Sequence, residues 1–159
     1  MPGSLNRAEL RSWVALIGGI RSLLRSLDRQ LRDDHGVSHD DYQILAHLSR
    51  VGPDGVRMSD LAGGIAYSPS RLTHAIGRLE TLGWVVRRPS EADRRVVEVA
   101  LTRHGSERVA RISEGHLAHV RALVFDELGA DRARELGDLM REVGRAAETA
   151  DTQRAESAS

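Results

Sequence analysis

Apolar residues recur at helical spacing through most of this chain and take up strand spacing only around its middle. The first stretch is the longest. Leu10, Trp13, Ile17, Ile20, Leu24, Leu27 and Leu31 step by alternating threes and fours, the spacing of a heptad seam. Asn6 with Glu9 three residues on marks the helix start, and Asp33-Asp34 lies near its end. A helix of that length reaches about 40 Å at 1.5 Å per residue. One small domain cannot cover it, so the seam predicts partner helices, most economically from a second copy. The alternative is a long helix packed only within its own subunit.

Gly36 breaks the pattern, and Ser38-His39-Asp40-Asp41 reads as a capping box for a second helix with Tyr42, Ile44, Leu45 and Leu48. Gly52-Pro53-Asp54-Gly55 predicts a turn, after which Val56 suits a short strand and Ser59 a helix cap. That helix is expected to end near Ile65, after Gly63-Gly64. Ser68 then Pro69 is a clear N-cap and first position for another helix. Its inner face carries Leu72, Ile76, Leu79 and Gly83, with Ala75 and Leu82 at the edge. Trp84–Arg88 and Val96–Leu101 predict a hairpin in which Val97, Val99 and Leu101 point inward. Thr102 caps a fifth helix with Val109, Ile112, Val120, Leu123 and Val124, and Gly115 is expected to bend it. Gly129 precedes a last helix with Ala133, Leu136, Leu139, Met140 and Val143. From Thr149 the polar tail is expected to fray.

The fold class expected is mainly α with a small β-hairpin wing. Residues 36–102 form a winged helix-turn-helix domain, 1–35 and 103–148 a helical dimerisation region, and 149–159 the tail. The helix that begins at Ser68 turns Ser70, Thr73, His74, Gly77 and Thr81 outward, flanked by Arg71 and Arg78. Hydroxyls, an imidazole and guanidiniums can all donate to base edges and phosphates. An ordinary solvated helix face has the same composition, and the helix alone does not separate the two readings. The hairpin loop, Pro89-Ser90-Glu91-Ala92-Asp93-Arg94-Arg95, adds two arginines just past its tip. Between Ser68 and Arg95 six arginines face three acids, so the segment is locally basic in a chain whose formal net charge is zero. The positive charge that an acidic partner needs is therefore placed, not general.

Met58-Ser59-Asp60-Leu61-Ala62, Ser68-Pro69-Ser70-Arg71-Leu72-Thr73, Arg78-Leu79-Glu80-x-x-Gly83, Asp93-Arg94-Arg95 and Leu101-Thr102-x-x-Gly105 together resemble the MarR family of bacterial transcriptional regulators. Each motif alone is weak; five in order, within roughly residues 38 to 105, are specific. The resemblance implies a homodimer on a pseudo-palindromic double-stranded DNA operator, with the recognition helix in the major groove and the wing in the minor groove. It also implies that Arg95 enters the minor groove and that Asp93 braces it. On this reading Ser68, Ser70 and Thr73 touch phosphates and bases, Arg71, His74 and Arg78 read or clamp the major groove, and Arg94 and Arg95 serve the wing.

At 159 residues the chain suits one domain plus dimerisation elements. All 23 basic residues are arginine, which reads as compositional bias. Cysteine is absent, so disulfides and thiol-based oxidant sensing are excluded. With neither a membrane-length apolar run nor a signal-peptide pattern, a cytoplasmic protein is expected. Aromatic residues are limited to Trp13, Tyr42, Tyr67, Trp84 and Phe125.

The resemblance further implies a repressor relieved by a small ligand, often an anionic aromatic, bound between the dimerisation helices and the winged domain. Trp13 and Tyr42 are the expected walls, with His116 or an arginine as polar group, although Trp13 at a seam position equally suits packing. A metal-responsive regulator is the alternative within the fold, since His35, His39, His116 and His119 with Asp40 and Asp41 could converge. Their spacing is not that of a dedicated helical site, and no metal or cofactor is expected. Enzyme readings fail for want of a nucleophile motif or a phosphate loop. Ser68 and Ser70 with His74 suit a helix start better than a triad. A winged-helix module for protein–protein assembly is the reading from another class, and the arginine pair of the wing argues against it.

Overall fold

The computed structural model describes residues 4–65, 67–90 and 93–157. The elements are α1 (Arg7–His35), α2 (His39–Val51), β1 (Val56–Arg57), α3 (Met58–Gly64), α4 (Pro69–Thr81), β2 (Val85–Pro89), β3 (Val97–Leu101) and α5 (Arg103–Val120). A single π-helical turn, Arg121–Phe125, leads into α6 (Asp126–Leu128) and α7 (Ala130–Ser157). The chain divides into two compact units, Met1–Leu117 and Ala118–Ser159. The first unit thus takes in α1 and most of α5, which the sequence groups with a dimerisation region. No helix among the described residues is long and apolar enough to cross a membrane.

Local chemistry accounts for the element ends. Asn6 and Glu9 form a reciprocal capping box at the head of α1. At its foot Gly36 adopts φ 69°, a left-handed conformation that glycine enters without penalty. The Gly36 and Val37 amides then close back onto Arg32 and Leu31 carbonyls. Ser38 caps α2 by accepting the Asp41 amide at 3.1 Å, and Ser68 caps α4 by accepting that of Arg71 at 3.3 Å. Ser59, expected to cap α3, does not. The helix begins at Met58 with Arg57 at the cap position and no side-chain cap, because strand β1 runs straight into it. The Ser59 hydroxyl instead donates to Asp60.

One core holds the first unit together. Leu31, Ile44, Leu45, Leu48, Leu61, Leu72, Ile76, Leu79 and Ile112 are almost wholly buried and belong to the same cluster. Leu82, expected at the edge of the α4 face, is exposed just past the end of the helix. The sheet order is β1-β3-β2, all antiparallel, with Val56 opposite Val99 and Val85 opposite Leu101. The expected alternation along β3 holds only in part. Val99 and Ala100 are both buried at the inner end, whereas Val97, paired with Pro89 at the far end of the wing, is exposed. Distance from the helical core outweighs the pleat there.

Much of α1 is uncovered in the single chain: only Leu27 and Leu31 of its seam are buried, and Leu10, Trp13 and Leu24 are exposed. In the second unit Ala133 is buried, and Leu136, Leu139 and Val143 of α7 are exposed. α5 runs unbroken through Gly115, and the irregular turn comes later, at Arg121–Phe125. The polar tail from Thr149 is helical. α7 continues to Ser157, exposed along its last turns.

Candidate nucleic-acid interface

The chain from Tyr67 to Arg95 presents helix α4 and the wing. Burying Leu72, Ala75, Ile76 and Leu79 fixes the rotation of α4, so the opposite face is set by the core. Ser68, Ser70, Arg71, Thr73, His74 and Arg78 are all exposed on it, as the sequence predicts. The Thr73 hydroxyl, however, donates to the Pro69 carbonyl at 2.8 Å. Its proton is thereby committed to the helix, leaving its lone pairs, not its O–H, to an outside partner.

The two arginines of this helix are not idle. The Arg71 guanidinium is ion-paired to Asp40 and lies over the Tyr67 ring, 4.4 Å from its centroid. Arg78 donates to Asp41 at 2.8 Å. The Asp41 carboxylate also accepts the Ser38 hydroxyl at 2.7 Å. Burial would raise the Asp40 pKa, but the Tyr67 hydroxyl and the Arg71 guanidinium outweigh it and hold the carboxyl below its ordinary value. Burial first, and the neighbouring Asp40 carboxylate second, push the Tyr67 phenol up, so it stays neutral. Asp40, Asp41 and Tyr67 are thus part of this face, although the sequence marks the aspartates only as helix-capping and histidine-flanking residues. Nothing local signals pairs spanning 31 and 37 positions.

Arg87 and Arg88 are also engaged. Arg87 bonds the Glu80 carboxylate at 3.0 Å and the Thr73 carbonyl at 3.1 Å, and Arg88 bonds the carbonyls of Pro53 and Asp54. These two bind strand to helix and strand to turn. Arg94 and Arg95 at the wing tip are exposed, and neither forms an ion pair with a described residue. The tip is closed by backbone bonds from Ser90 to Val96 at 2.8 Å and from Val96 to Asp93 at 2.9 Å. Asp93 accepts the backbone amide of Arg95 at 2.9 Å. Its contact with Arg95 is therefore to the main chain, shaping the turn that carries the guanidinium. Glu91 and Ala92 of the same loop lie outside the described residues.

This geometry has close counterparts. The MarR family model matches residues 35–96. The chain is 34% identical over 115 residues to the HTH-type transcriptional regulator PecS of Dickeya dadantii (strain 3937), covering 70% of this chain and 69% of that protein. AbsC of Streptomyces coelicolor, a MarR family transcriptional regulator, superposes with a TM-score of 0.86 at 33% identity, covering 92% of this chain and 99% of that one. Sco3205, a MarR family transcriptional regulator of the same organism solved in complex with DNA, gives a TM-score of 0.87 at 36% identity, covering 92% and 91%. The chain belongs to the MarR family. It is a transcriptional regulator with a winged helix-turn-helix fold, not an enzyme.

Within this MarR-family chain the three expected ligand residues are not gathered together. Tyr42 and His116 are both buried, with ring centroids 4.4 Å apart. The Tyr42 hydroxyl lies 3.2 Å from that of Ser113, and His116 Nδ1 lies 3.0 Å from the Gln30 amide oxygen. These polar atoms already have partners, and the pair reads as core. Trp13 is exposed and stands on α1 about 25 Å from Gln30, at 1.5 Å rise per residue. A cavity of about 230 Å³ beside Leu48, Pro53, Leu101 and Ser106 includes none of the three. His39 sits 6.1 Å from the His116 ring. Among the described residues no three His, Cys, Asp or Glu side chains are placed to hold a metal ion.

Proposed function

We propose that this regulator acts as a cytoplasmic homodimer on a pseudo-palindromic operator, with α4 in the major groove and the wing tip in the minor groove. The observation that carries the reading is the exposed pair Arg94 and Arg95, without carboxylate partners among the described residues, beside the exposed α4 face of Ser68, Ser70, Thr73 and His74. Exposed guanidiniums at a hairpin tip suit the narrow, electronegative minor groove. That Sco3205 was solved in complex with DNA supports a DNA partner. For the dimer, the support is the exposed apolar seam of Leu10, Trp13 and Leu24 on α1 and of Leu136, Leu139 and Val143 on α7. Apolar rows of that extent are stable in water when covered.

We assign repression, the mode named for MdtR of Bacillus subtilis, which is 26% identical over 131 residues, with relief by a small anionic aromatic ligand. Footprinting of the chain's own upstream region tests the reading. Two protected half-sites should lie about one helical turn, roughly 34–36 Å, apart. Light scattering should show a dimer at micromolar concentration that Ile17→Asp with Leu24→Asp dissociates. Equal affinity for promoter and random duplexes would favour an assembly module. A promoter preference that no aromatic carboxylate relieves removes the ligand clause alone.

A further inference from the structure

We propose that Asp40 and Asp41 are specificity determinants: they neutralise Arg71 and Arg78 within the protein and so withhold two guanidiniums from non-specific phosphate contact. The inference rests on the DNA-binding reading above and assigns residues outside α4 and the wing to it. Arg71 and Arg78 are seven residues apart, about two turns of α4, and so form one stripe along the helix. Their side chains are 57% and 58% exposed, which puts both heads at the surface where a duplex would lie. Two consecutive residues of α2 reach that stripe.

The pairs are better fixed than ordinary surface ion pairs. Asp41 is 15% exposed, and its second oxygen is held by the Ser38 hydroxyl, leaving the first aimed at Arg78. Arg71 is held from two sides, by the Asp40 carboxylate and by the face of Tyr67. The buried Tyr67 hydroxyl has no well-aligned hydrogen bond among the described residues, and its polar neighbour is the same Asp40. Rotating Asp40 away from Arg71 would therefore disturb both groups.

Non-specific affinity for DNA grows with the number of phosphates neutralised, through released counterions. A guanidinium already compensated by a carboxylate contributes little to that count. With Arg71 and Arg78 compensated, and Arg87 and Arg88 engaged by Glu80, Glu98 and carbonyls, the face of α4 is left with Ser70, Thr73 and His74. Those groups discriminate base edges without attracting every duplex. The zero formal net charge of the chain works in the same direction. Charge-driven attraction falls to the wing, and the sequence-dependent share of binding rises.

The test is a titration of equal-length promoter and random duplexes over a range of salt concentrations. Asp40→Asn and Asp41→Asn should each tighten random-duplex binding about fivefold near 0.15 M salt. Each should steepen the salt slope by about 0.9 per released guanidinium, and the promoter-to-random ratio should fall. Arg71→Gln should leave the wild-type slope unchanged but cancel the steepening in the Asp40→Asn background, which a purely structural role for Asp40 would not produce. If Asp41→Asn loses its fold because Asp41 also anchors the α2 cap, the Asp40 and Arg71 cycle decides alone. The inference is overturned if Arg71→Gln by itself flattens the wild-type slope by about 0.9, or if Asp40→Asn leaves random-duplex affinity and slope unmoved. A wild type with no promoter preference overturns the DNA-binding reading and this inference together. A preference with unmoved slopes overturns only the inference.

Discussion

Gly105→Ala should unfold this protein at a markedly lower temperature, against the helix preference of the residue introduced. Gly105 stands in the first turn of α5, where alanine is favoured over glycine by about 1 kcal/mol. A methyl group there, however, would come to 1.9 Å from the Trp84 carbonyl oxygen and 2.8 Å from its carbon, where anything under 3.0 Å forces a shift. The obstacle is main chain, so no side-chain rotation relieves it. The same carbonyl accepts the Thr102 amide at 3.0 Å, and the Thr102 hydroxyl donates to the Gly83 carbonyl at 2.7 Å while accepting the Gly105 amide at 2.9 Å. Moving α5 off Trp84 by more than 1 Å breaks that knot. Overpacking of this kind costs about 1–3 kcal/mol, and each hydrogen bond lost adds about 1 kcal/mol. After the helix-propensity gain the net loss is about 2–4 kcal/mol, or roughly 6–15 °C in Tm for a chain of this size. Thermal melts followed by far-UV circular dichroism measure it. Gly19→Ala is the matched control, since nothing lies within 4 Å of the added carbon, and it should gain a few degrees. A Gly105→Ala variant melting within 2 °C of wild type would refute the steric reasoning.

Four further outcomes follow, three from the interface and one from a buried histidine. Arg95→Ala should weaken every operator variant by a similar factor and flatten the salt slope by about 0.9, since an arginine in the minor groove senses width more than sequence; a changed rank order among single-base variants would contradict this. Asp93→Ala removes the acceptor of the Arg95 amide and leaves the guanidinium, so it should cost less affinity and keep the slope, whereas His74→Ala should relax preference at particular positions by about 1–3 kcal/mol. Burial lowers the His39 pKa below its ordinary 6.5, opposed in part by Asp40 and Asp28, with the His116 ring also against it. The unfolded chain therefore takes up the proton first as pH falls, and His39 contributes stability that is present above pH 6.5 and lost as pH drops through 6.5 toward the folded value. His39→Gln should flatten urea stability between pH 7.5 and 5.5, and an unchanged pH dependence in the variant would rule this out.

Short-range patterns settled what short-range physics can settle. Asn6, Ser38, Ser68 and Thr102 cap their helices because a side-chain oxygen two or three positions ahead of a free amide needs no help from the rest of the fold. The inner face of α4 and the wing strands followed from periods of 3.6 and 2, and the order of motifs was sufficient to point to the family. Where tertiary packing intervened, those patterns lost their hold. Strand β1 runs into α3 and displaces the cap expected of Ser59, and Val97 alternates correctly but lies beyond the reach of the core. The resemblance groups Trp13, Tyr42 and His116, but α1 carries Trp13 about 25 Å from Gln30, the partner of His116.

The electrostatic state of α4 was the property least visible in the sequence. Arg71 and Arg78 look free in the linear chain, where charge is read segment by segment. Their carboxylates come from α2, brought within reach only because Ile44, Leu45 and Leu48 share a buried core with Leu72, Ile76 and Leu79. The sequence by itself determined where the long helices form, which face α4 buries and which family the chain joins. The packing of α2 beside α4 decided that Arg71 and Arg78 are compensated, because Coulomb attraction depends on distance in space and the chain specifies that distance only through its packed core.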